Sequence, residues 1–220
     1  MRRRVASLSV VVLVGGLAVA ASVYAGSVVA TPISSDPYTN SSSQHRTQLE
    51  PDSFGYGNTV VATFQTGRFF DGGSSNIGWA TTTDSGRTWR TGMLPSTTIF
   101  ATPAGPWARI SDPAVAYDPL HDVWMISTLA IDASVSGAAV LTSRSTDGGL
   151  TWDDPITTSL SSGTFYDKNW ITCDTWPQSP HYGNCYQEWD EPTFYMSTST
   201  DGGLTWGPKR TPGGMSGRGA

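Results

Sequence analysis

The chain has 220 residues, a formal net charge of −5 and an aromatic content of 11%. The acidic balance argues against nucleic acid as a partner, because nucleic-acid binding relies on clustered Lys and Arg. The chain contains 24 glycines and 14 prolines, and no long helical period follows residue 30. It is therefore expected to form short strands in an all-β fold.

The N-terminus has the pattern of an export signal. A basic start, Met1–Arg4, precedes an uncharged and mostly apolar run, Val5–Val23, and small residues follow. Residues 1–30 are predicted to be a signal peptide, so the protein is expected to be secreted, with no other membrane contact. An uncleaved signal would anchor the chain at the cell surface, since a bilayer takes about 20 helical residues. Residues 31–48, rich in Ser, Thr, Asn and Pro, are predicted to be a flexible tether.

An eight-residue motif occurs three times, at Thr82–Trp89, Ser145–Trp152 and Ser199–Trp206, with the pattern Ser/Thr-x-Asp-x-Gly-x-Thr-Trp. The pattern suits a tight hairpin, because the Asp carboxylate accepts nearby backbone N–H groups, the Gly tolerates positive φ, and the Trp packs into the sheet. Three copies indicate a repeat protein. The residues predicted to shape these turns are Asp84, Gly86, Trp89, Asp147, Gly149, Trp152, Asp201, Gly203 and Trp206.

The motif resembles the Asp-box, or bacterial neuraminidase repeat, of the sialidase superfamily. The resemblance covers residues 50–210, is carried also by Asp112–Asp118 and Phe165–Ile171, and is closest to secreted bacterial sialidase-like proteins. It implies a β-propeller in which each Asp-box joins the third and fourth strands of a blade, away from the active site, so the motif aspartates are predicted to be structural. Such propellers have six blades. With about three visible, the chain is expected to be a fragment or to close by self-association.

The blades can be located by their spacing. An acidic residue opens an apolar strand 34 or 35 residues before each motif aspartate, in Glu50-Pro51, Asp112-Pro113 and Asp167-Lys168. This spacing predicts four-stranded blades at about 50–95, 108–158 and 165–211 within a propeller region 49–211, and an unstructured tail at 212–220. The predicted strands are Thr59–Phe64 and Ile77–Thr81 in the first blade; Ala114–Tyr117, Asp122–Leu129, Ala138–Ser143 and Trp152 onward in the second; Asn169–Cys173, Asn184–Trp189 and Thr193–Ser197 in the third.

The two cysteines, Cys173 and Cys185, are predicted to form a disulfide, because an even cysteine count in an exported chain favours pairing. The sequence has no His-Glu-x-x-His zinc site, no Gly-x-Ser-x-Gly elbow and no phosphate-binding glycine loop. Its three histidines are scattered. No metal and no cofactor are therefore predicted.

On the face opposite the motif turns, the predicted loops collect several acids, two Arg and a Tyr. Sialidase chemistry, which the resemblance implies, needs Arg donors for a substrate carboxylate, an acid for the leaving oxygen and a Tyr nucleophile helped by a carboxylate. The predicted substrate-binding residues are Arg68 and Arg109, and the predicted catalytic residues are Asp112, Tyr166, Asp167 and Glu188.

Structural interpretations of these residues stay open. Tyr166 and Asp167 could form a blade-opening turn, Arg109 an inter-blade ion pair, and the acids at 188–191 a solvated loop. The resemblance implies an exo-glycosidase of the exo-α-sialidase type, acting on sialylated or related acidic glycans or glycoconjugates. The alternative is a non-catalytic cell-surface propeller that binds glycan or protein.

Overall fold

The computed structural model describes residues 30–213 of the chain. The predicted signal peptide at 1–30 and the predicted tail at 212–220 lie almost entirely outside the described residues. Within residues 30–213 the regular elements are eleven β-strands, which confirms the all-β prediction. In the same part of the chain, no helix has the length and apolar character needed to cross a membrane.

The strands form three antiparallel blades in chain order, and one residue pair, Ser74 with Ile110, joins the sheets of the first two blades. Blade 1 contains β1 (Gln48–Tyr56), β2 (Thr59–Arg68), β3 (Ser74–Thr82) and β4 (Arg90–Met93). Blade 2 contains β5 (Arg109–Asp118), β6 (Val123–Ile131), β7 (Gly137–Ser145) and β8 (Ile156–Leu160). Blade 3 contains β9 (Asp167–Cys173), β10 (Cys185–Glu191) and β11 (Thr193–Ser199), and its fourth position is reduced to one bridge between Met196 and Arg210.

Each predicted strand overlaps or adjoins an observed strand. Five of the nine predicted starts agree to within one residue, whereas the strands predicted from Ile77, Ala114 and Asn169 begin earlier, at Ser74, Arg109 and Asp167. The strand expected from Trp152 onward begins at Ile156. Trp152 itself is buried in the core between blades 1 and 2, so the chain completes the motif turn before it enters the strand.

Burial differs between the blades, although β3 of blade 1 is as fully buried as β6 of blade 2. Strands β5, β6 and β7 bury nearly all of their residues, because blade 2 has a neighbouring blade on each face. Strands β9 and β10 instead alternate between more and less buried residues over much of their length, the pattern of a sheet covered on one face. Val61, Tyr117 and Trp124 belong to the core between blades 1 and 2, and Met125 and Ile171 to the core between blades 2 and 3.

The three motif copies adopt one hydrogen-bonding pattern. Asp147 accepts hydrogen bonds from the Thr151 N–H at 2.9 Å and from the hydroxyl groups of Ser145 and Thr151 at 2.8 and 2.7 Å. Asp84 and Asp201 accept the corresponding Thr N–H and hydroxyl groups of their own turns. Hydrogen bonds to a carboxylate favour its charged form. Those from the hydroxyl and the N–H of Thr88 are the main cause that lowers the pKa of Asp84 to about 2.

The motif glycines also make contacts between blades. Gly86, Gly149 and Gly203 have φ values of 86°, 80° and 77°. A Cβ on Gly149 would lie 2.6 Å from Val61 of blade 1, and a Cβ on Gly203 would lie 2.5 Å from Met125 of blade 2. The second and third motif turns therefore pack closely against the preceding blade.

The predicted disulfide is confirmed. Cys173 and Cys185 are bonded, with their Cα atoms 4.0 Å apart, and they face each other in the register of β9 and β10. The bond closes the hairpin that carries the exposed Trp176.

Residues 31–47, predicted with Gln48 to be a flexible tether, make specific contacts in the structure. Ser43 forms an isolated bridge with Phe69 of blade 1, and Asp36 accepts a hydrogen bond from the Thr47 N–H at 3.2 Å. The Ser, Asn and Asp residues that composition associates with disorder act here as local hydrogen-bond partners. The segment therefore lies against blade 1 in this structure.

Candidate functional site

One position in the first strand of each blade has a left-handed backbone conformation. It is occupied by Glu50 in blade 1, Asp112 in blade 2 and Lys168 in blade 3, with φ values of 51°, 48° and 53°. The ladder register shifts around Glu50 and around Asp112, as it does at a β-bulge. Such bulges re-aim side chains, and a non-glycine residue in this conformation costs about 1 kcal/mol or more. The strain recurs at one place in all three blades, where functional side chains are often held.

These three residues line a single cavity of about 340 Å³. The remaining lining residues are Pro51, Asp52, Pro113, Asn169, Trp170 and Glu188. The cavity lies near the starts of β1, β5 and β9, whereas the motif turns follow the far ends of β3, β7 and β11. Its volume is within the range of about 300–1,000 Å³ that small-ligand sites occupy.

A chain of polar contacts connects the cavity residues of blades 1 and 2. Gln65, buried on β2, donates a hydrogen bond to the Glu50 carboxylate and another to Ser111 Oγ at 3.0 Å. Ser111 in turn donates to Asp112 Oδ1 at 2.6 Å. The two acids are therefore held by one hydrogen-bonded network whose central members, Gln65 and Ser111, are buried, and this fixes their side chains relative to each other.

A second buried network holds the cavity wall between blades 2 and 3. Asn169 donates to the Asp112 carbonyl oxygen at 3.0 Å and to Ser127 Oγ at 2.7 Å, and Gln187 donates to the same hydroxyl at 2.5 Å. Asn169 Oδ1 is buried and has no hydrogen-bond partner among the described residues. The wall between blades 2 and 3 therefore contains a buried, unsatisfied acceptor behind the cavity surface.

Two carboxyl groups of the cavity have raised pKa values. Burial, followed by the negative charge of Asp112, raises the pKa of Glu50 above its ordinary value, although Gln65 opposes the rise. Burial, followed by the charge of Asp190, raises the pKa of Glu188. Both carboxyl groups therefore keep their proton to a higher pH than a fully solvated Glu, the direction that a general acid requires. Within residues 30–213, no three His, Cys, Asp or Glu side chains form a metal-binding group.

The two predicted substrate-binding arginines do not line the cavity, and both bind other groups of the protein. Arg68 donates to the carbonyl oxygens of Phe69 and Gly73, at 2.5 and 3.0 Å. Arg109 contacts Asp71 of blade 1 at 2.5 Å and lies 4.9 Å from the centroid of the Phe69 ring. The contact with Asp71 crosses between blades, as the alternative interpretation of Arg109 predicted.

Tyr166 and Asp167, adjacent in sequence, lie in different surroundings. Tyr166 is fully buried, its ring centroid lies 5.9 Å from that of Trp189 at a tilted angle, and its hydroxyl donates to the Leu160 carbonyl at 3.1 Å. Asp167 accepts a hydrogen bond from the Lys168 N–H at 3.0 Å and lines a separate hollow. The structure thus brings Asp112 and Glu188 together in the cavity and leaves Tyr166 in the core.

Sequence reasoning missed several residues of the cavity. Glu50 and Lys168 were noticed only as blade openings, and Asp52 and Trp170 were not singled out. The spacing to the motif could have identified Glu50, since it identified Asp112. It placed Asp167 in the third blade, whereas the left-handed residue there is Lys168.

Antiparallel blades packed face to face, with charged residues collected at their opening strands, define the class of this protein: it has a sialidase-like β-propeller fold, represented here by three blades. This confirms the predicted fold class. The sequence itself matches no protein-family model and no curated protein.

Among solved structures, the chain is similar to a Hadza microbial sialidase, Hz136, with 17% identity and a TM-score of 0.52, over 71% of this chain and 36% of the other. It is similar to a mutant Trypanosoma rangeli sialidase displaying trans-sialidase activity, with 14% identity, a TM-score of 0.52 and coverage of 81% and 34%. It is also similar to the exo-β-1,3-galactanase of Phanerochaete chrysosporium, with 11% identity, a TM-score of 0.51 and coverage of 75% and 38%. The chain spans little more than a third of each structure, and the likeness shows the fold.

Proposed function

We propose that this chain forms part of a secreted glycosidase propeller and that the cavity between the blade openings is its sugar site. The observation that carries the proposal is the pair of carboxyl groups with raised pKa, Glu50 and Glu188, in one cavity with Asp112. Glycoside hydrolysis needs one carboxyl group that donates a proton to the leaving oxygen and a second that acts as nucleophile or base. The similar propellers named above include sialidases and a galactanase, which supports the same class of reaction.

Glu50 is the leading candidate for the proton donor. Its carboxylate receives a hydrogen bond from Gln65, and the same network reaches Asp112, so the two acids are positioned together. Asp112 is the candidate for the second carboxyl group. Glu188, on β10 at the blade 3 side of the cavity, is the alternative donor.

The resemblance also predicted a sialylated or related acidic substrate, and the geometry supports this less well than it supports glycoside hydrolysis. An anionic sugar requires guanidinium or ammonium donors on the site. Arg68 and Arg109 are bound to backbone carbonyls and to Asp71 instead. This occupation argues against an acidic sugar in the cavity. The second candidate function is a propeller that binds glycan without cleaving it.

Secretion is part of the proposal. The disulfide between Cys173 and Cys185 fits an oxidising compartment, where such bonds persist. The predicted signal peptide lies outside the described residues.

The experiment is a hydrolysis assay of the full-length natural protein with a panel of fluorogenic neutral and acidic glycosides. Glu50→Gln and Asp112→Asn should each lower kcat by at least about a hundredfold, the typical contribution of acid–base catalysis. Asp154→Asn is the matched control, because Asp154 is exposed beyond the motif turn of blade 2, and it should leave kcat unchanged. Glycan binding with no hydrolysis of any panel member would refute the enzyme and support the binding propeller.

A further inference from the structure

The cavity has a strong excess of negative charge. Its lining contains four carboxyl side chains, from Glu50, Asp52, Asp112 and Glu188, and one ammonium group, from Lys168. Within residues 30–213, Lys168 is the one cation of that lining. A sugar carboxylate placed in this cavity would meet several like charges at short range, where solvent screening is incomplete.

The nearby guanidinium groups do not reverse this charge. Arg68 is close enough to lower the pKa of Glu50, yet its guanidinium donates to two carbonyl oxygens at the end of blade 1. Arg109 is paired with Asp71. Neither arginine lines the cavity, so neither offers the bidentate fork that recognises a carboxylate.

The polar groups of the lining are mostly acceptors. Four of its side chains carry carboxyl groups, and ionised carboxylates accept hydrogen bonds and do not donate them. A ligand that satisfies such a surface must supply O–H donors. The hydroxyl groups of an uncharged sugar do so, whereas a carboxylate adds another acceptor.

An exposed indole ring completes the lining. Trp170 is 49% exposed although it lies in β9, and it faces Glu188 across the β9–β10 ladder. Sugar rings present an apolar C–H face as well as hydroxyl edges, so an aromatic platform beside carboxylates matches both parts of the ring.

We propose that this cavity binds an uncharged, hydroxyl-rich sugar ring stacked on Trp170, and that its carboxylates exclude anionic sugars. The inference rests on the proposed function for the location of the site, and it narrows the substrate class to neutral glycans. Trp170 is a specificity-determining residue in this scheme. The carboxyl groups of Glu50, Asp52, Asp112 and Glu188 accept hydrogen bonds from sugar hydroxyl groups and repel anionic sugars.

The test is equilibrium binding to the full-length protein, measured by calorimetry with paired neutral and anionic oligosaccharides. Lactose is paired with 3′-sialyllactose, and neutral galacto-, xylo- and gluco-oligosaccharides are paired with their uronic-acid counterparts. Neutral members should bind at least about tenfold more tightly than their anionic partners at low ionic strength, and added salt should narrow the difference. Preferential binding of the anionic members, or binding of no panel member, would overturn the proposal.

Two tryptophan variants separate stacking from a general loss of structure. Trp170→Ala should weaken binding of the neutral sugar about tenfold, and Trp170→Phe should restore part of it. Trp176→Ala is the matched control, because Trp176 is 64% exposed in the same blade but on the hairpin at the opposite end. Equal binding by the Trp170→Ala and control proteins would remove Trp170 from the site.

A charge variant tests the exclusion independently of catalysis. Glu188→Gln removes one negative charge from the lining, so the neutral-to-anionic binding ratio should fall severalfold. Binding is measured without turnover, so neutral-sugar binding in a protein that hydrolyses nothing would refute the enzyme but support this inference. Hydrolysis of sialosides in preference to neutral glycosides would support the enzyme but refute this inference.

Discussion

Alanine substitutions at the three motif glycines would measure how much the motif turns contribute to blade packing. Gly86, Gly149 and Gly203 occupy the same motif position and have φ values within ten degrees of one another. Their surroundings differ. A Cβ on Gly149 meets buried Val61 at 2.6 Å and the Thr81 hydroxyl at 3.1 Å, whereas a Cβ on Gly86 meets no described atom within 4 Å.

The structure gives a different cost for each substitution. Gly86→Ala pays the left-handed conformation alone, about 1 kcal/mol of unfolding free energy. Gly149→Ala adds an overpacking cost of about 1–3 kcal/mol, because Val61 is fully buried in the core between blades and cannot move freely. Gly203→Ala should be intermediate, since its neighbour is the flexible side chain of Met125.

The assay is urea unfolding of the three variants and the unsubstituted protein, followed by tryptophan fluorescence. Gly86→Ala is the control for backbone strain, so the expected order of destabilisation is Gly86→Ala, Gly203→Ala, then Gly149→Ala. Equal losses in all three variants would refute the argument that the motif turns pack blade against blade. Unfolding in separate steps would instead show that the blades are not one cooperative unit.

Three further predictions concern single groups. The folded-state pKa values of Glu50 and Glu188 are raised, so ionisation of either group lowers the unfolding free energy as the pH rises from 4.5 through the folded-state pKa. Replacing either Glu by Gln should therefore raise the midpoint of thermal unfolding at pH 7 but not below pH 4.5. An effect that does not depend on pH would contradict this. Replacing Cys173 and Cys185 together by Ser should lower the unfolding free energy by about 3 kcal/mol, measured in urea, and reductant should then have no further effect. Tyr166→Phe should cost about 1 kcal/mol in the same assay and leave sugar binding intact; loss of binding would return Tyr166 to the site.

Local rules carried much of the fold prediction. The motif aspartates bond to groups within four residues, so their turns could be expected from the sequence alone. The disulfide also followed from the cysteine count and a short loop. Alternation and turn residues located the strands in the right order and place, although several boundaries differ by two to five residues, because side-chain period and turn chemistry are local properties while strand length depends on the neighbouring strands.

The cavity could not be predicted in the same way, because it depends on which side of a strand each residue faces. Tyr166 and Asp167 are neighbours, and the step between them takes the chain from the core to the surface. A difference of one residue in the third blade exchanges an acid for Lys168 at the left-handed position. Sequence spacing alone locates this position to within about one residue. A shift of one residue reverses the face of the strand on which a side chain lies, and here it also reverses the sign of the side-chain charge.

The left-handed position connects the fold to the chemistry of the site. Glycine would occupy it with no strain, yet Glu50, Asp112 and Lys168 stand there in the three blades. Each accepts a conformational cost that the surrounding sheet must offset, and each has its side chain in the same cavity. A cost repeated in three blades for charged side chains is hard to explain by blade packing, since packing would be served by glycine. Under the proposed function, the repeated position is the device by which the propeller brings charged side chains to one cavity, and the identity of each side chain would set the charge that a bound sugar meets.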